Sequence, residues 1–316
     1  MCRRIPRFRW MRLTGMLLLS LTVLPIGLLV VERNTYAEPG SYTATLPWVS
    51  NAAHYSFFVC GHPRASTGSS PPGLYPEFVA TFPRIKAHVP AFGVLTGDIV
   101  WSGTSTNWDA VDAELAQLGV PMHLAVGNHD MSNRPLFVSR YGPTYYTFAT
   151  QEGPQDLFVV LDTELSSEGI TGEQLASLRD TLAESNAQRA FVFMHKLLWV
   201  CADTPYEALY SKLNNPVAYN LQSNFWHDVV PLLRAFGKPV YVFAGDIGIS
   251  WAIALFYQQD GNIRFIANGV GGSTEENYIL VEVSAEAVRL AAYRLDGEPL
   301  TRGGLEAYDL AYYQGE

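Results

Sequence analysis

Two short segments of this chain bring together residue types that bind cations and move protons. Gly97-Asp98 follows an apolar run at 92–95, and Gly127-Asn128-His129-Asp130 follows another at 122–126, about thirty residues later. Glycine lets a chain turn sharply where a strand stops. Carboxylate and amide oxygens delivered beside an imidazole at neighbouring strand ends make a set of hard-oxygen and nitrogen ligands. That is the equipment of metal-assisted hydrolysis. The same arrangement recurs along the chain, because His62, His195 and Asp246 also stand at the ends of apolar runs.

The elements that must position these residues are legible as hydrophobic patterns. Strands are predicted at 55–60, 92–95, 122–126, 157–162, 190–194, 239–244, 263–267, 278–283 and 288–295. Helices are predicted at 75–89, 108–118, 171–185 and 225–236. Thr171-Gly172-Glu173-Gln174 has the composition of a capping box, with Leu175, Leu178 and Leu182 on one face behind it. Strand and helix alternate through the first two thirds, and a strand-rich end follows. This pattern predicts a layered α/β domain. In such sheets ligands sit beyond the carboxyl ends of the strands, where His62, Asp98, Asn128, His195 and Asp246 would meet.

The chain has 316 residues, 48% hydrophobic and 16% charged, enough apolar material for a sizeable core. Five arginines at 3, 4, 7, 9 and 12 precede an uncharged stretch at 13–31. Residues 1–37 therefore read as a signal peptide, cut after Thr35-Tyr36-Ala37, or as a retained membrane anchor. The arginines would stay on the cytoplasmic side, leaving the body exported to the periplasm or the outer face of the membrane. Residues 38–52 read as a linker and 53–316 as the domain. Removing 1–37 takes away six basic residues and one acidic residue, so the charge goes from −9 to −14. So acidic a body is a poor nucleic-acid ligand. Cys60 and Cys201 remain in it, and spacing leaves open whether they pair. No Gly-x-Ser-x-Gly elbow supports a serine hydrolase.

The order Gly97-Asp98, Gly127-Asn128-His129-Asp130, Phe193-Met194-His195 and Phe243-Ala244-Gly245-Asp246 resembles the calcineurin-like metallophosphoesterases, and most of all their exported members related to purple acid phosphatases. The resemblance covers roughly residues 54–295. It implies a four-layer α/β/β/α sandwich and two metal ions bridged by a carboxylate, which bind phosphate and lower the pKa of a bound water. By position it implies Asp98 as the bridging carboxylate and Asn128 as a metal ligand that also touches phosphate. His129 would be the general acid, Asp130 the carboxylate that orients it, and His195 a further ligand.

Two elements depart from the family pattern. At the opening Asp-x-His, this chain reads Cys60-Gly61-His62-Pro63-Arg64. Aligning Gly61 with the family glycine puts His62 in the aspartate position and Arg64 in the histidine position. The other alignment puts Cys60 in the aspartate position. At the closing Gly-His-x-His, the chain reads Gly245-Asp246-Ile247-Gly248. One side of the site thus keeps Asp98, Asn128, His195 and Asp246, a set suited to zinc, manganese or iron. The other keeps Asp98 and His62, with Arg64 as a phosphate clamp. Two functions remain from sequence. One is an exported phosphomonoesterase or diesterase using one or two divalent metal ions. The other is a catalytically degenerate relative serving as a binding or scaffold module at the outer face of the membrane.

Overall fold

The computed structural model describes residues 54–65, 70–150 and 155–315. The predicted leader and linker lie outside the described residues, within which no helix is long and apolar enough to cross a membrane. In chain order the elements are β1 (Tyr55–Cys60), α1 (Pro76–Ala80), α2 (Phe82–Ala87), β2 (Phe92–Thr96), α3 (Ser105–Leu115), β3 (Met122–Ala125), α4 (Arg134–Tyr141), β4 (Tyr146–Phe148) and β5 (Asp156–Val160). There follow α5 (Gly172–Glu184), β6 (Arg189–Phe193), α6 (Val230–Ala235), β7 (Val240–Ala244), β8 (Leu255–Asp260), β9 (Ile263–Asn268), β10 (Asn277–Val283), β11 (Val288–Arg294) and α7 (Leu310–Gln314).

The strands form two sheets, ordered β11-β10-β1-β2-β3 and β4-β5-β6-β7-β9-β8. β1, β2 and β3 run parallel, as do β5, β6, β7 and β9. Their near-continuous apolar sequences follow from burial on both faces. Alternate side chains serve different cores. In β6, Phe191 and Phe193 point between the sheets, while Ala190 and Val192 point to the helices outside. The inter-sheet core is rich in aromatic rings. Phe57 of one sheet meets Phe191 of the other edge-on at 5.2 Å, and Phe92 meets Phe158 at 5.4 Å. The helices α1 to α4 cover the first sheet, and α5 and α6 cover the second. This is the predicted α/β/β/α sandwich.

Polar links join the sheets at both ends. At the amino ends of β1, β5 and β6, Asp156 accepts from the Tyr55 hydroxyl and from Arg189 Nε, while Arg189 Nη1 donates to the Ser284 carbonyl. Toward the carboxyl ends, the Asn268 amide donates to the carbonyls of Val59 and Asn277, and the Val270 amide donates to Gly61. The strand ends of the two sheets approach so closely here that glycine is required. A Cβ on Gly61 would overlap Gly245 Cα, and one on Gly245 would overlap Gly61 Cα.

Several predicted elements are shorter or differently built. The helix at 75–89 is two helices, because Pro83 lacks an amide and clashes with the preceding turn. The helix at 225–236 opens with a π turn over Phe225–Val229, ahead of Pro231. Thr171 makes no capping hydrogen bond. Gln174 is drawn inward instead, where it exchanges two hydrogen bonds with the Asp162 backbone. Cys60 and Cys201 are both free and buried, in different cores.

On β3 the half-buried His123 ring stacks on Phe148 at 3.5 Å and meets Phe92 edge-on at 5.5 Å. Burial lowers its pKa to about 4. Below about 6.5 the unfolded chain takes up a proton that the native ring refuses, so stability falls as pH drops from about 6.5 toward 4 and is whole above that window. Urea titrations across this range should show a shallower acid limb for His123→Phe than for the wild type. Parallel limbs would contradict this reading of His123.

Candidate active site

The carboxyl ends of β1, β2, β6 and β7 converge on Asp98. This residue follows Gly97 in a left-handed turn (φ 50°) and is 2% exposed. His62, just past β1, also has positive φ (52°). Aspartate and histidine tolerate this region better than most side chains. Backbone bonds fix both turns, with the His62 amide donating to Gly97 and the Arg64 amide donating to the Asp98 carbonyl, each at 3.1 Å.

The two Asp98 oxygens face different neighbours. Oδ1 accepts the His129 amide at 3.1 Å and stands 3.4 Å from His195 Nε2. Beyond that nitrogen, at 3.8 Å, lies Asp246 Oδ1. Oδ2 faces His62 Nε2 at 3.4 Å, Arg64 Nε at 3.7 Å and His129 Nε2 at 3.8 Å. Gly127 floors this space, because a Cβ there would overlap the Asp98 carboxylate. The sequence-predicted His62, Arg64, Asp98, His129, His195 and Asp246 are therefore brought together. Asn128 stands exposed at the rim, where its side chain makes no hydrogen bond among the described residues.

Backbone carbonyls orient each imidazole. His195 Nδ1 lies 3.0 Å from the Thr96 carbonyl, His62 Nδ1 lies 2.8 Å from Val270, and His129 Nδ1 lies 2.6 Å from Trp101. A carbonyl only accepts, so in each ring Nδ1 donates and Nε2 is turned to Asp98. His195 Nε2 is buried without a hydrogen-bond partner. Its separations from Asp98 and Asp246 are too long for hydrogen bonds. They approach the edge of about 3.4 Å spanned by two ligands on a four-coordinate ion with bonds of about 2.0–2.1 Å. These residues therefore fit a divalent cation on the Oδ1 side. By themselves they do not make a complete site, since among the described residues no three His, Cys, Asp or Glu side chains form a group that could hold a metal ion. Asn128, water or a phosphate oxygen would complete it.

The electrostatics distinguish the two sides. Burial lowers the pKa of His195, but the carboxylates of Asp98 and Asp246 outweigh it and carry the ring up to about 9. Burial lowers His62 to about 4, against the pull of Asp98 and with the help of Arg64 and His195. Burial raises Asp98, yet three imidazoles and the Arg64 guanidinium bring it below the usual carboxylate range. The Oδ1 side thus has an excess of negative charge, whereas the Oδ2 side already contains a guanidinium. Cys60 is buried in the helix-side core and holds no place in the cluster, whereas His62 and Arg64 both face Asp98.

Asp130 departs from expectation. Its Oδ1 accepts the amides of Ile99 and Val100 at 2.8 and 3.0 Å, and Oδ2 accepts Gly127 at 2.8 Å. It therefore braces the two loops that carry Asp98 and Asn128, while the Trp101 carbonyl orients His129. Trp101 had no sequence signal of this role, and a backbone carbonyl leaves none. Its ring touches His129 (5.1 Å between centroids) and lies under the Arg64 guanidinium at 4.4 Å. Asp130→Asn would set an amide NH2 against backbone donors, and should cost about 1–3 kcal/mol in chemical denaturation. A variant as stable as the wild type would return Asp130 to the role of orienting His129.

Residues 54–269 match the sequence profile of the calcineurin-like phosphoesterases. Among solved structures, the fold is similar to a dimetal phosphatase from Danio rerio, with TM-score 0.58 and 16% identity over 76% of this chain and 96% of that one. It is also similar to purple acid phosphatase PPD1 from yellow lupin seeds, with TM-score 0.57 and 13% identity over 80% of this chain and 53% of that one. PhoD gives 0.50 and 12%, over 81% and 74%. At these identities the likeness is one of fold. No curated protein matches the chain significantly. The profile spans well over half of the sequence, and the chain belongs to the calcineurin-like phosphoesterase family.

Proposed function

We propose that the protein is an exported phosphoesterase whose site combines one divalent cation with a guanidinium. The observation that carries this reading is the unequal surroundings of Asp98. Oδ1 faces His195 and, beyond it, Asp246, while Oδ2 faces His62 and Arg64. Zinc, manganese or iron on the Oδ1 side would polarise the phosphoryl group and lower the pKa of an attacking water. Export rests on the arginine-rich leader and its uncharged stretch at 13–31.

The chain's own residues divide the remaining work. Arg64 is 8% exposed, lies over the Trp101 ring and donates to the Ala65 carbonyl, so its guanidinium is positioned before substrate arrives. It can clamp the phosphate oxygens that a second cation would otherwise hold. Asn128, exposed one residue before His129, can donate its amide to the same phosphate. His129 Nδ1 donates a hydrogen bond to the Trp101 carbonyl, so Nε2 is the nitrogen placed to pass a proton to a leaving oxygen, on the side facing Asp98 Oδ2. The buried floor excludes water from the far side of Asp98.

A non-catalytic binding module is the second reading, favoured by the open ligand cage. An aryl phosphate assay with added manganese, zinc or iron separates the two. His129→Ala should lower kcat/KM by about 10²–10⁴-fold, and Arg64→Ala by about 10–100-fold, expressed mainly in KM. A wild type as inert as His129→Ala under every metal would leave the binding module standing.

A further inference from the structure

The chemistry just proposed needs a place for the group that leaves phosphorus. Trp101 is 37% exposed and forms one wall of the cluster, touching both His129 and Arg64. The same residue lines a separate groove of about 310 Å³, together with Pro71, Pro72, Ser102, Thr104 and Asn107. Ala65, whose carbonyl accepts from Arg64 Nη1 at 3.0 Å, lines it as well. The groove therefore begins where the phosphate clamp and the proton donor end.

Its chemistry is selective. A broad indole and two prolines offer flat apolar surface, and the remaining lining is hydroxyl and amide. No charged side chain lines it among the described residues. A polyanionic leaving group would find no counter-charge there, and a short alkyl group would leave the indole uncovered. A planar, uncharged ring system fits, stacking on the apolar surface with its polar edge toward Ser102 or Thr104. The volume lies at the small end of the range for small-molecule pockets. The floor is firm. Asn107 Nδ2 donates to the Ser102 carbonyl at 2.8 Å, and the Gly103 amide donates to Ser132 Oγ at 2.7 Å.

We propose that Trp101 and this groove form the leaving-group subsite and select phosphoesters of uncharged alcohols that carry a planar ring, aryl or nucleoside in kind. The proposal rests on the phosphoesterase reading above. Both sources share the stacking ring, and substrate arms tell them apart.

The test measures kcat/KM for 1-naphthyl phosphate, adenosine 5′-monophosphate and ethyl phosphate on metal-supplemented wild type, Trp101→Ala, Trp101→Phe and Thr106→Gln. Thr106 is exposed on α3 and lines the groove, so glutamine narrows it with Trp101 in place. Comparing each variant with the wild type on the same substrate cancels intrinsic leaving-group reactivity. Trp101→Ala should lose about ten- to hundredfold more on the ring-bearing substrate than on ethyl phosphate. Trp101→Phe should recover most of that difference, and Thr106→Gln should reproduce part of it. A selective loss on the naphthyl ester alone assigns the aryl source, and on the nucleotide alone the nucleoside. Equal losses on all three substrates would overturn the proposal. If the wild type hydrolyses none of them, the phosphoesterase reading fails by itself, and calorimetric binding of phenylphosphonate against methylphosphonate then decides the subsite. Tighter phenylphosphonate binding that Trp101→Ala abolishes upholds it, and equal binding overturns it.

Discussion

A carboxylate removed from water must be paired, and Asp98 is paired more densely than any hydrogen-bond scheme requires. Four positively polarised or ligating groups from three segments converge on its two oxygens. A second carboxylate, Asp246, is buried behind His195 and raised in pKa by that burial. Two buried carboxylates opposed by one permanent cation leave an excess of negative charge that protonated His195 or a bound cation must balance. The sandwich holds this arrangement in place. Parallel strands end together, glycines let the ends of the two sheets touch, and the Thr96 carbonyl of one sheet fixes the His195 ring of the other.

Much of this was legible because burial on two faces writes itself into sequence as apolar runs, and a polar residue ending such a run is conspicuous. Asp98, His195 and Asp246 were found that way. What could not be read has a common cause, since it depends on contacts made by backbone or on shape. The partners of the three imidazoles are carbonyls of Thr96, Val270 and Trp101, which any residue possesses. Adjacency in sequence points Asp130 at His129, whereas the folded loops present three amides to it. β4 and β8 leave little hydrophobic pattern in the sequence, the first being three residues long and the second ending in Gln258-Gln259-Asp260. The long helices predicted at 75–89 and 225–236 ignored Pro83 and Pro231, whose missing amides reset the hydrogen-bond ladder.

Under the proposed function, Arg64 would change the chemistry of a family scaffold at small structural cost. A guanidinium at the place of a ligand supplies positive charge that needs no external ion, and it is always protonated. Its burial would be unfavourable if it stood alone, since burial depresses even its pKa. Asp98 and the Trp101 face compensate on two sides. The same stacking ties Arg64 to the groove beside it, so on the proposed reading one wall would bind both the phosphate and the departing group.

The most direct measurement is anomalous X-ray diffraction from crystals of the protein equilibrated with manganese or zinc. One strong peak within bonding distance of Asp98 Oδ1, His195 Nε2 and Asp246, with the Arg64 guanidinium still beside Oδ2, is the predicted result. Two peaks bridged by Asp98, with Arg64 displaced, would contradict it.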